Sequence, residues 1–511
     1  MYRYLFFLIS ILIIIPSGAL SKESLPIDVK VVSTEGHQIN KKVFGVNGAL
    51  LWSPIRYNDP TLSNFYNDLG LNFIRIPGGT DANYYLWHTA NYGCNTNRTA
   101  SAVSQDRIKK FNTALSRHNR TYTTEDFVSF LKRVDTDFSL VINVLCDTPD
   151  NARLWVQKWL NDGVKVKYIE LGNELYNDEY EWGVMNAEEY LQIAKKHAEE
   201  IRRIVPDARI GLVASSSSFR SKYFPDLAEM AKHEHDRKGL AFDRSAAAAS
   251  FADAIVIHIY STVGVTRFES FFSRLDYDKA YQNAISHFDS RIQPCLQYLH
   301  NLNPNKRIWI TEWGIAFYDW LRPYESGFVS SYYNALYAMN NLLTFSLVPY
   351  VDATNYHNFP NLWSYSKEPQ PNTTYKAFQI LKEPMDLTKF VCPVDFKGEK
   401  KYLGSHPDFK ELNSELAGAF FYSVNNGYLV ILNKLGTPYS IRSLTDVSGS
   451  DIHPAELLQI VPAQKPASSE FSVINKKLKQ GDVIEIPPYS ITRILVENLS
   501  SGFGKLVNNF N

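Results

Sequence analysis

The chain of 511 residues carries 53 basic and 53 acidic residues, so its formal net charge is zero. A neutral chain without a long run of one charge sign is a poor partner for nucleic acid or an anionic membrane, and we expect neither. With 45% hydrophobic and 21% charged residues, it has the composition of a globular protein and enough length for two to four domains.

The first 21 residues have the pattern of a secretory signal peptide. Arg3 precedes an apolar run from Leu5 to Ile15, and small residues follow at 17–21. This run is shorter than the roughly 20 apolar residues that a membrane-spanning helix needs, and no later segment is long and apolar enough. We therefore expect a secreted protein, extracellular or periplasmic, without a membrane anchor.

Apolar runs with strand character alternate with helical patterns from about Val43 onward. This alternation is typical of βα units around a parallel sheet. Amphipathic helices are predicted at 124–134, 152–160, 187–204 and 330–343. The predicted strands lie at 43–47, 73–77, 138–145, 168–172, 209–214, 254–260, 307–311 and 350–356. Eight such units predict an α/β fold, a (β/α)₈ TIM barrel over residues 41–385, enlarged by long loops such as 78–122.

Short alternating strands follow the last barrel helix, which is predicted near 374–382. Strands at 419–424 and 428–432 flank an Asn-Asn-Gly turn, which is typical of a β-hairpin. Further strands are predicted at 471–474, 483–486 and 491–496, and one at 27–32 precedes the barrel. Together they predict an accessory β-sandwich from residues 22–40 and 386–511.

The four cysteines are too few for a disulfide-framed scaffold but compatible with one or two bridges. Three full pairings of Cys94, Cys146, Cys295 and Cys392 are possible. We favour Cys94 with Cys146, because both follow neighbouring strands on the same face of the predicted barrel. No CxxC or HExxH pattern indicates a metal site, so we expect no metal and no cofactor.

Two of the predicted strands deliver a glutamate to the barrel rim. Side chains alternate between the barrel interior and the helix layer, and catalytic groups collect at the carboxyl ends of the strands. In Tyr-Ile-Glu-Leu-Gly-Asn-Glu, the apolar Ile169 and Leu171 indicate that Glu174 has the inward parity at the end of strand four. Glu312 follows strand seven in the same way. Two carboxyl groups facing one cavity can split a glycosidic bond, and a separation of about 5–5.5 Å predicts retained stereochemistry.

The two motifs resemble clan A of the retaining glycoside hydrolases. Gly-Asn-Glu at 172–174 and Thr-Glu-Trp-Gly at 311–314 stand at the strands where that clan has its catalytic residues. The resemblance implies that Glu174 is the general acid/base, that Glu312 is the nucleophile, and that Asn173 hydrogen-bonds the sugar 2-hydroxyl. Chemically, Glu174 then needs a pKa high enough to hold a proton, whereas Glu312 must stay ionised.

Further motifs leave the sugar open. Arg-Ile-Pro-Gly-Gly at 75–79, Tyr-Leu-Trp at 85–87 and Pro-Pro-Tyr-Ser at 487–490 are most similar to the α-L-arabinofuranosidase family. Gly-Gly-Thr-Asp at 78–81 and Glu-Leu-Gly-Asn-Glu at 170–174 are equally similar to the heparanase and β-glucuronidase group. We therefore expect an arabinofuranosidase-like enzyme, with a β-glucuronidase-like, heparanase-like or β-xylosidase-like enzyme as alternatives.

Three inward residues on other strands are candidates to support the glutamates and the substrate. Arg75 ends strand two, where its positive field would keep Glu312 charged or its guanidinium would pair with Glu170. His258 and Tyr260 share the inward parity of strand six, in a His-x-Tyr pair that resembles the clan's motif on this strand. Both lie at the height where they would orient the nucleophile.

The tryptophans favour a carbohydrate cleft, because aromatic faces stack on the apolar faces of sugar rings. Six of the nine follow predicted strands and so lie on the carboxyl face of the barrel: Trp52, Trp87, Trp182, Trp313, Trp320 and Trp363. We expect Trp87, Trp313 and Trp363 to contact an oligosaccharide or polysaccharide substrate. A carbohydrate-binding barrel without catalysis is the rival interpretation.

Overall fold

The computed structural model describes residues 23–95, 100–117, 122–264, 275–317, 321–363, 369–424, 426–497 and 499. The predicted signal peptide and Trp320 lie outside this range. No helix in the described part of the chain is long and apolar enough to cross a membrane.

The strands, in chain order, are β1 (Leu25–Val31), β2 (His37–Gln38), β3 (Gly45–Asn47), β4 (Phe73–Ile76), β5 (Tyr85–Leu86), β6 (Asn91–Tyr92), β7 (Asp137–Ile142), β8 (Tyr168–Leu171), β9 (Arg209–Val213), β10 (Ala254–Thr262), β11 (Arg307–Ala316), β12 (Val351–Tyr356), β13 (Phe390–Lys397), β14 (Lys401–Leu403), β15 (Leu412–Ser414), β16 (Leu416–Tyr422), β17 (Asn426–Asn433), β18 (Tyr439–Thr445), β19 (Pro454–Pro462), β20 (Phe471–Lys477), β21 (Ile484–Ile486) and β22 (Ser490–Glu497).

The α-helices of the described residues are α1 (Pro60–Leu69), α2 (Ala102–Arg117), α3 (Thr124–Val134), α4 (Pro149–Asn161), α5 (Ala187–Arg202), α6 (Ser217–Arg220), α7 (Leu227–Met230), α8 (Glu234–Ala248), α9 (Tyr277–Leu302), α10 (Arg322–Val329), α11 (Tyr332–Ser346) and α12 (Thr373–Leu387).

Eight parallel strands close a barrel in the order β3, β4, β7, β8, β9, β10, β11, β12 and back to β3. Helices cover its outside, where apolar strand residues that face away from the barrel axis, such as Ile169 and Leu171, pack in the main core. The predicted TIM barrel is confirmed. The bounds of strand β8 and helix α3 agree closely with those predicted from the sequence. The period-2 pattern of the strand and the period-3.6 pattern of the helix are both uninterrupted.

The barrel interior changes from apolar to charged along its axis. At the amino end, Phe73, Tyr168 and Trp309 pack together with Ala254, Val256 and Ala353. Gly211 makes room for the indole of Trp309, since a Cβ there would lie 2.6 Å from the ring. Towards the carboxyl end from this apolar cluster, the fully buried Arg75 and Glu170 occupy the interior. Apolar packing therefore closes the amino end, and polar chemistry is confined to the carboxyl end.

A second domain packs beside the barrel as a folded β-sheet with its own apolar core, built from residues such as Ile27, Phe420 and Ile431. β13 pairs antiparallel with both β1 and β16, so it joins the two halves of the sheet. β1 also pairs in parallel with β18. The predicted accessory β-sandwich, including its N-terminal strand, is confirmed, whereas the exact domain bounds stay a prediction.

The long segment 78–122 is more structured than expected. It contains the short hairpin β5–β6 and helix α2, whereas its sequence pattern predicts a loop. Helix α2 is mostly polar and buries few side chains, among them Phe111, Ala114 and Leu115. Its weak apolar face explains why the pattern does not predict it. Phe111 packs on Tyr84 and Tyr92, so helix α2 is held against the earlier part of the same segment.

The predicted pairing of Cys94 with Cys146 is confirmed, with a sequence separation of 52 residues. The bond ties the inserted segment to the residues that follow β7, and Asn95 adds a backbone hydrogen bond of 2.7 Å to Cys146. Cys295 and Cys392 are buried free thiols.

We expect the Cys94→Ser, Cys146→Ser double variant to be less stable by about 4 kcal/mol, because a crosslink across this many residues restricts the unfolded chain. Thermal unfolding with and without reductant measures the effect. The matched control is Cys295→Ser, which removes no bridge; equal midpoints for double variant and wild type would contradict the prediction.

Candidate active site

Glu174 is held at the rim by an unusual backbone after β8. Gly172 has φ of +87°, and a Cβ there would lie 2.6 Å from Leu175 Cδ1. Glu174 itself has φ of +48°, in the left-handed region that side chains rarely adopt. Such strain persists where the surroundings determine the conformation, and it is concentrated at functional sites. Here it turns the Glu174 carboxylate into the barrel mouth.

Glu312 lies within β11 and is surrounded by donors from neighbouring strands. Arg75 donates to its Oε1 at 2.6 Å, and Asn47 donates to the same oxygen at 3.2 Å. Tyr260 donates its hydroxyl to Oε2 at 2.6 Å. Strand pairing explains the arrangement, because Asn47 is level with Arg75, and His258 is level with Glu312.

The two glutamates face each other across a small gap. One ligand atom each of Glu174, His258 and Glu312 lies within 4.8 Å of the others. This approach of the carboxylate oxygens is slightly closer than the separation of about 5–5.5 Å in retaining glycosidases and far shorter than the roughly 6.5–9.5 Å of inverting ones. The trio could also contact a cation, but the Arg75 guanidinium already neutralises Glu312, which disfavours a second positive charge.

Arg75 connects the site into one network. It donates to both oxygens of Glu170, at 2.9 and 2.5 Å, and to Oδ1 of Asn173 at 2.8 Å, in addition to Glu312. Burial lowers the pKa of Arg75, but the charges of Glu170 and Glu312 raise that pKa by a larger amount. The guanidinium therefore stays charged. Both contacts considered for Arg75 are thus present together.

Glu312 is kept ionised by its neighbours. Burial raises the pKa of its carboxyl group, but the nearby His258, His357 and Arg75 and the Tyr260 hydrogen bond lower it well below the usual range. His357 Nδ1 lies 3.8 Å from Glu312 Oε2. A permanently ionised carboxylate is what a nucleophile needs.

Glu174 differs from the expectation that it holds a proton of its own. Burial raises its pKa, but the hydrogen bond and charge of His258 lower it below the ordinary value. Burial lowers the pKa of His258, whereas Glu312 and Glu174 raise it more. The Nδ1 of His258 lies 2.8 Å from Glu174 Oε1. These opposite shifts favour the proton of this pair on His258.

Searches with models of protein families and with curated proteins find no match to this sequence. Among solved structures, the chain is similar to the GH51 arabinofuranosidase from Xanthomonas axonopodis pv. citri, at 16% identity and a TM-score of 0.64, over 93% of this chain and 100% of that one. The α-L-arabinofuranosidase from Thermotoga maritima has 15% identity and a TM-score of 0.64, over 92% and 100%. The chain has the arabinofuranosidase fold.

The same architecture extends to a Paenibacillus polymyxa xyloglucanase of glycoside hydrolase family 44, at 11% identity and a TM-score of 0.61, over 93% of this chain and 100% of that one. The fold resemblance expected from the two glutamate motifs is thus confirmed. At these identities the likeness concerns the arabinofuranosidase fold, and the sugar has to be argued from the site.

The tryptophans that were predicted to contact the sugar differ in their exposure to solvent. Trp313 has no exposed surface, donates to Thr354 Oγ1 at 3.2 Å and packs on Tyr356 in the helix-facing core. Its predicted role in substrate binding is wrong, because neighbouring residues of a strand point to opposite sides and Glu312 takes the inward one. Trp363 is also buried, between Phe65 and Phe359, so its ring offers no stacking face.

Trp87 is half-buried on the carboxyl face, and its indole N–H donates to the Asn151 carbonyl at 3.0 Å. Asn173 lies beside Arg75, and its Nδ2 is buried without a hydrogen-bond partner in the described chain. That amide donor is the one that a bond to a sugar hydroxyl would use. The contact of either residue with substrate stays a prediction.

Sequence reasoning missed several groups that complete the site. Asn47 and His357 follow or end barrel strands and contact Glu312, and Asn83 clamps the backbone N–H and C=O of Asn173 at 2.9 and 2.7 Å. Thr311 bridges His258 and Glu170 at 3.2 Å each. The inward parity of Asn47 and the strand-end position of His357 were available signals, whereas the contact of Asn83 arises from loop folding alone.

Proposed function

We propose that the protein is a retaining glycoside hydrolase that acts by double displacement. The observation that carries the proposal is the pair of opposed glutamates on β11 and after β8, with Arg75 and Tyr260 donating to Glu312 and His258 Nδ1 lying 2.8 Å from Glu174 Oε1. Opposed carboxyl groups at this spacing are the equipment of retaining enzymes. The arabinofuranosidase fold supports the same class of reaction.

In the first step, Glu312 attacks the anomeric carbon and the bond to the leaving oxygen breaks. The proton of the Glu174–His258 pair passes through Glu174 to that oxygen, so that it leaves as a neutral hydroxyl group. In the second step, Glu174 takes a proton from water, which attacks the anomeric carbon and releases Glu312. Arg75 and Tyr260 stabilise the Glu312 carboxylate when it is free.

An α-L-arabinofuranoside is the leading substrate, supported by the likeness to two arabinofuranosidases. A β-glucuronide or a heparan-type chain is the alternative that the Gly-Gly-Thr-Asp motif supports, and a β-xyloside is a further alternative. A panel of aryl glycosides of these sugars tests the proposal, with the anomer of the first product followed by proton NMR. A first product of inverted configuration, or no cleavage of any member, would contradict it.

The rival proposal, a barrel that binds carbohydrate without cleaving it, is separated by a mechanism-based covalent inhibitor. A retaining hydrolase gains the mass of the sugar on the peptide that contains Glu312, whereas a pure binder stays unlabelled. The network of Arg75, Tyr260 and His258 around the two carboxylates favours catalysis, because a binding site does not need a strongly acidic glutamate.

We also propose that the protein is exported. The signal-peptide pattern of residues 1–21 supports this, and so does the Cys94–Cys146 bridge, since disulfides persist in oxidising compartments. Mass spectrometry of the N-terminus of the protein isolated from its natural host tests the proposal; an intact Met1 on the mature protein would contradict it.

His258 should set the acid limb of the pH profile. Glu312 acts as the ionised carboxylate, so activity is present above its pKa and is lost as the pH falls through it. His258 is the largest charge that lowers this pKa. We expect the His258→Gln variant to have its acid limb of kcat/KM at higher pH than the wild type.

The measurement uses an activated aryl glycoside, whose cleavage depends least on acid catalysis. His197→Gln is the control, because His197 is a buried histidine of helix α5 away from the glutamates. An acid limb that stays in place in the His258 variant would rule out this role.

Gly79 leaves room for the nucleophile. A Cβ at Gly79 would lie 2.2 Å from Glu312 Oε1, so the Gly79→Ala variant must displace the carboxylate or the turn that carries residue 79. Because a misplacement of about 1 Å can cost on the order of 100-fold, we expect a loss of that size in kcat. Gly436→Ala is the control, since its new methyl group meets nothing closer than 3.6 Å. Full activity of Gly79→Ala would show that the close approach is unimportant.

A further inference from the structure

Trp52 is exposed at the rim of the barrel although its neighbours are buried. Residues 50–53 form a turn in which the Ser53 N–H donates to the Leu50 carbonyl at 2.9 Å. Leu50 and Leu51 are 1–2% exposed, whereas Trp52 is 59% exposed. The turn is therefore anchored by its smaller apolar side chains and presents its largest one to solvent.

The turn rises directly from the wall of the active site. Asn47, five residues before Trp52, donates to Glu312, and the Gly48 N–H donates to the Arg75 carbonyl at 2.9 Å. Ala49 packs against Gly78, next to the glycine that faces Glu312, since a Cβ on Gly78 would lie 3.2 Å from Ala49 Cβ. Trp52 thus belongs to the segment that connects the nucleophile to the outer rim.

Two other tryptophans of this rim form hydrogen bonds within the protein. The indole N–H of Trp87 donates to the Asn151 carbonyl at 3.0 Å, and that of Trp182 donates to Ser104 Oγ at 2.8 Å. Both rings are half-buried and tie loops together. Within the described residues, the indole of Trp52 makes no such hydrogen bond. A single exposed apolar residue is ordinary on a protein surface, so its position beside the site decides the interpretation.

We propose that Trp52 is a stacking platform for a sugar unit adjoining the one held between Glu174 and Glu312. An indole face covers the apolar face of a pyranose or furanose ring, and a ring fixed on an anchored turn loses little freedom when it binds. The substrate is then an oligosaccharide or polysaccharide rather than a short glycoside. This inference rests on the proposed function and extends it from the reaction to the length of the substrate.

The test compares chain lengths. The probes are an aryl monosaccharide and the matching arabino- or xylo-oligosaccharides of two to five units, with kcat/KM measured for wild type, Trp52→Ala, Trp52→Phe and Leu154→Ala. We expect Trp52→Ala to lower kcat/KM for the longer oligosaccharides about fivefold more than for the aryl monosaccharide, as for the loss of one aromatic contact. Trp52→Phe should recover most of the difference.

Leu154→Ala is the matched control, because Leu154 is 40% exposed on helix α4. This variant should leave kcat/KM unchanged for every substrate. Equal effects of Trp52→Ala on short and long substrates, in a protein with an unchanged unfolding midpoint, would overturn the inference while leaving the proposed function intact. If the wild type cleaves no aryl glycoside and no oligosaccharide, the proposed function fails and the inference fails with it.

Discussion

The Glu312→Gln variant is expected to lose turnover by a factor on the order of 10⁶, the size of effect seen when a covalent enzyme loses its nucleophile. The amide keeps the shape of the carboxylate but cannot form the glycosyl-enzyme. Arg75 keeps its two hydrogen bonds to Glu170, so the fold should persist. Steady-state hydrolysis of an activated aryl glycoside measures the loss.

Stability should move little in this variant, or even rise, because the site no longer buries that carboxylate. Glu234→Gln, at an exposed position of helix α8, is the control for loss of a negative charge. Residual turnover above a few per cent of wild type would remove Glu312 from the role of nucleophile.

The Glu174→Ala variant is expected to separate substrates by their leaving groups. Without a general acid, cleavage of an alkyl glycoside or oligosaccharide should fall roughly 10²- to 10⁴-fold. A dinitrophenyl leaving group departs without a proton, so the first step should be much less affected. The measurement is kcat/KM across a series of aryl glycosides of increasing leaving-group pKa.

In the second step, the same variant lacks the general base. Water needs that base to attack the glycosyl-enzyme, whereas a small anion can attack without it. Added azide should therefore raise turnover of the dinitrophenyl substrate and yield a glycosyl azide, whereas it should leave the wild type unaffected. Equal losses on good and poor leaving groups would contradict the assignment of Glu174 as the acid.

The barrel and the position of Glu174 were predictable because they follow from local patterns. Strand β8 alternates strictly, and the apolar Ile169 and Leu171 can only face the helices, which leaves Glu170 and Glu174 for the interior. The same parity places Arg75, His258 and Tyr260. Period-2 patterning is a property of the strand itself and so is readable without tertiary information.

The rest of the site depends on contacts that no local pattern encodes. Whether the proton of the Glu174–His258 pair sits on one residue or the other depends on the 2.8 Å contact between His258 Nδ1 and Glu174 Oε1, which no pattern around Glu174 alone shows. Trp313 was misplaced because β11 does not alternate strictly. Trp309 and Thr311 face the interior, which by alternation would put Trp313 there too, but the register shift between Ile310 and Glu312 turns Glu312 inward and Trp313 to the outer face.

The pairing of β1 has a consequence for how the chain is made. This strand leaves the ribosome before the barrel, yet its partners β13 and β18 begin at Phe390 and Tyr439. It must therefore wait, unpaired, until nearly the whole polypeptide has been synthesised, since contacts so distant along the chain close last. A nascent chain that stops at the end of the barrel leaves an apolar strand uncovered, and binding of chaperones to that strand should end only when β18 emerges.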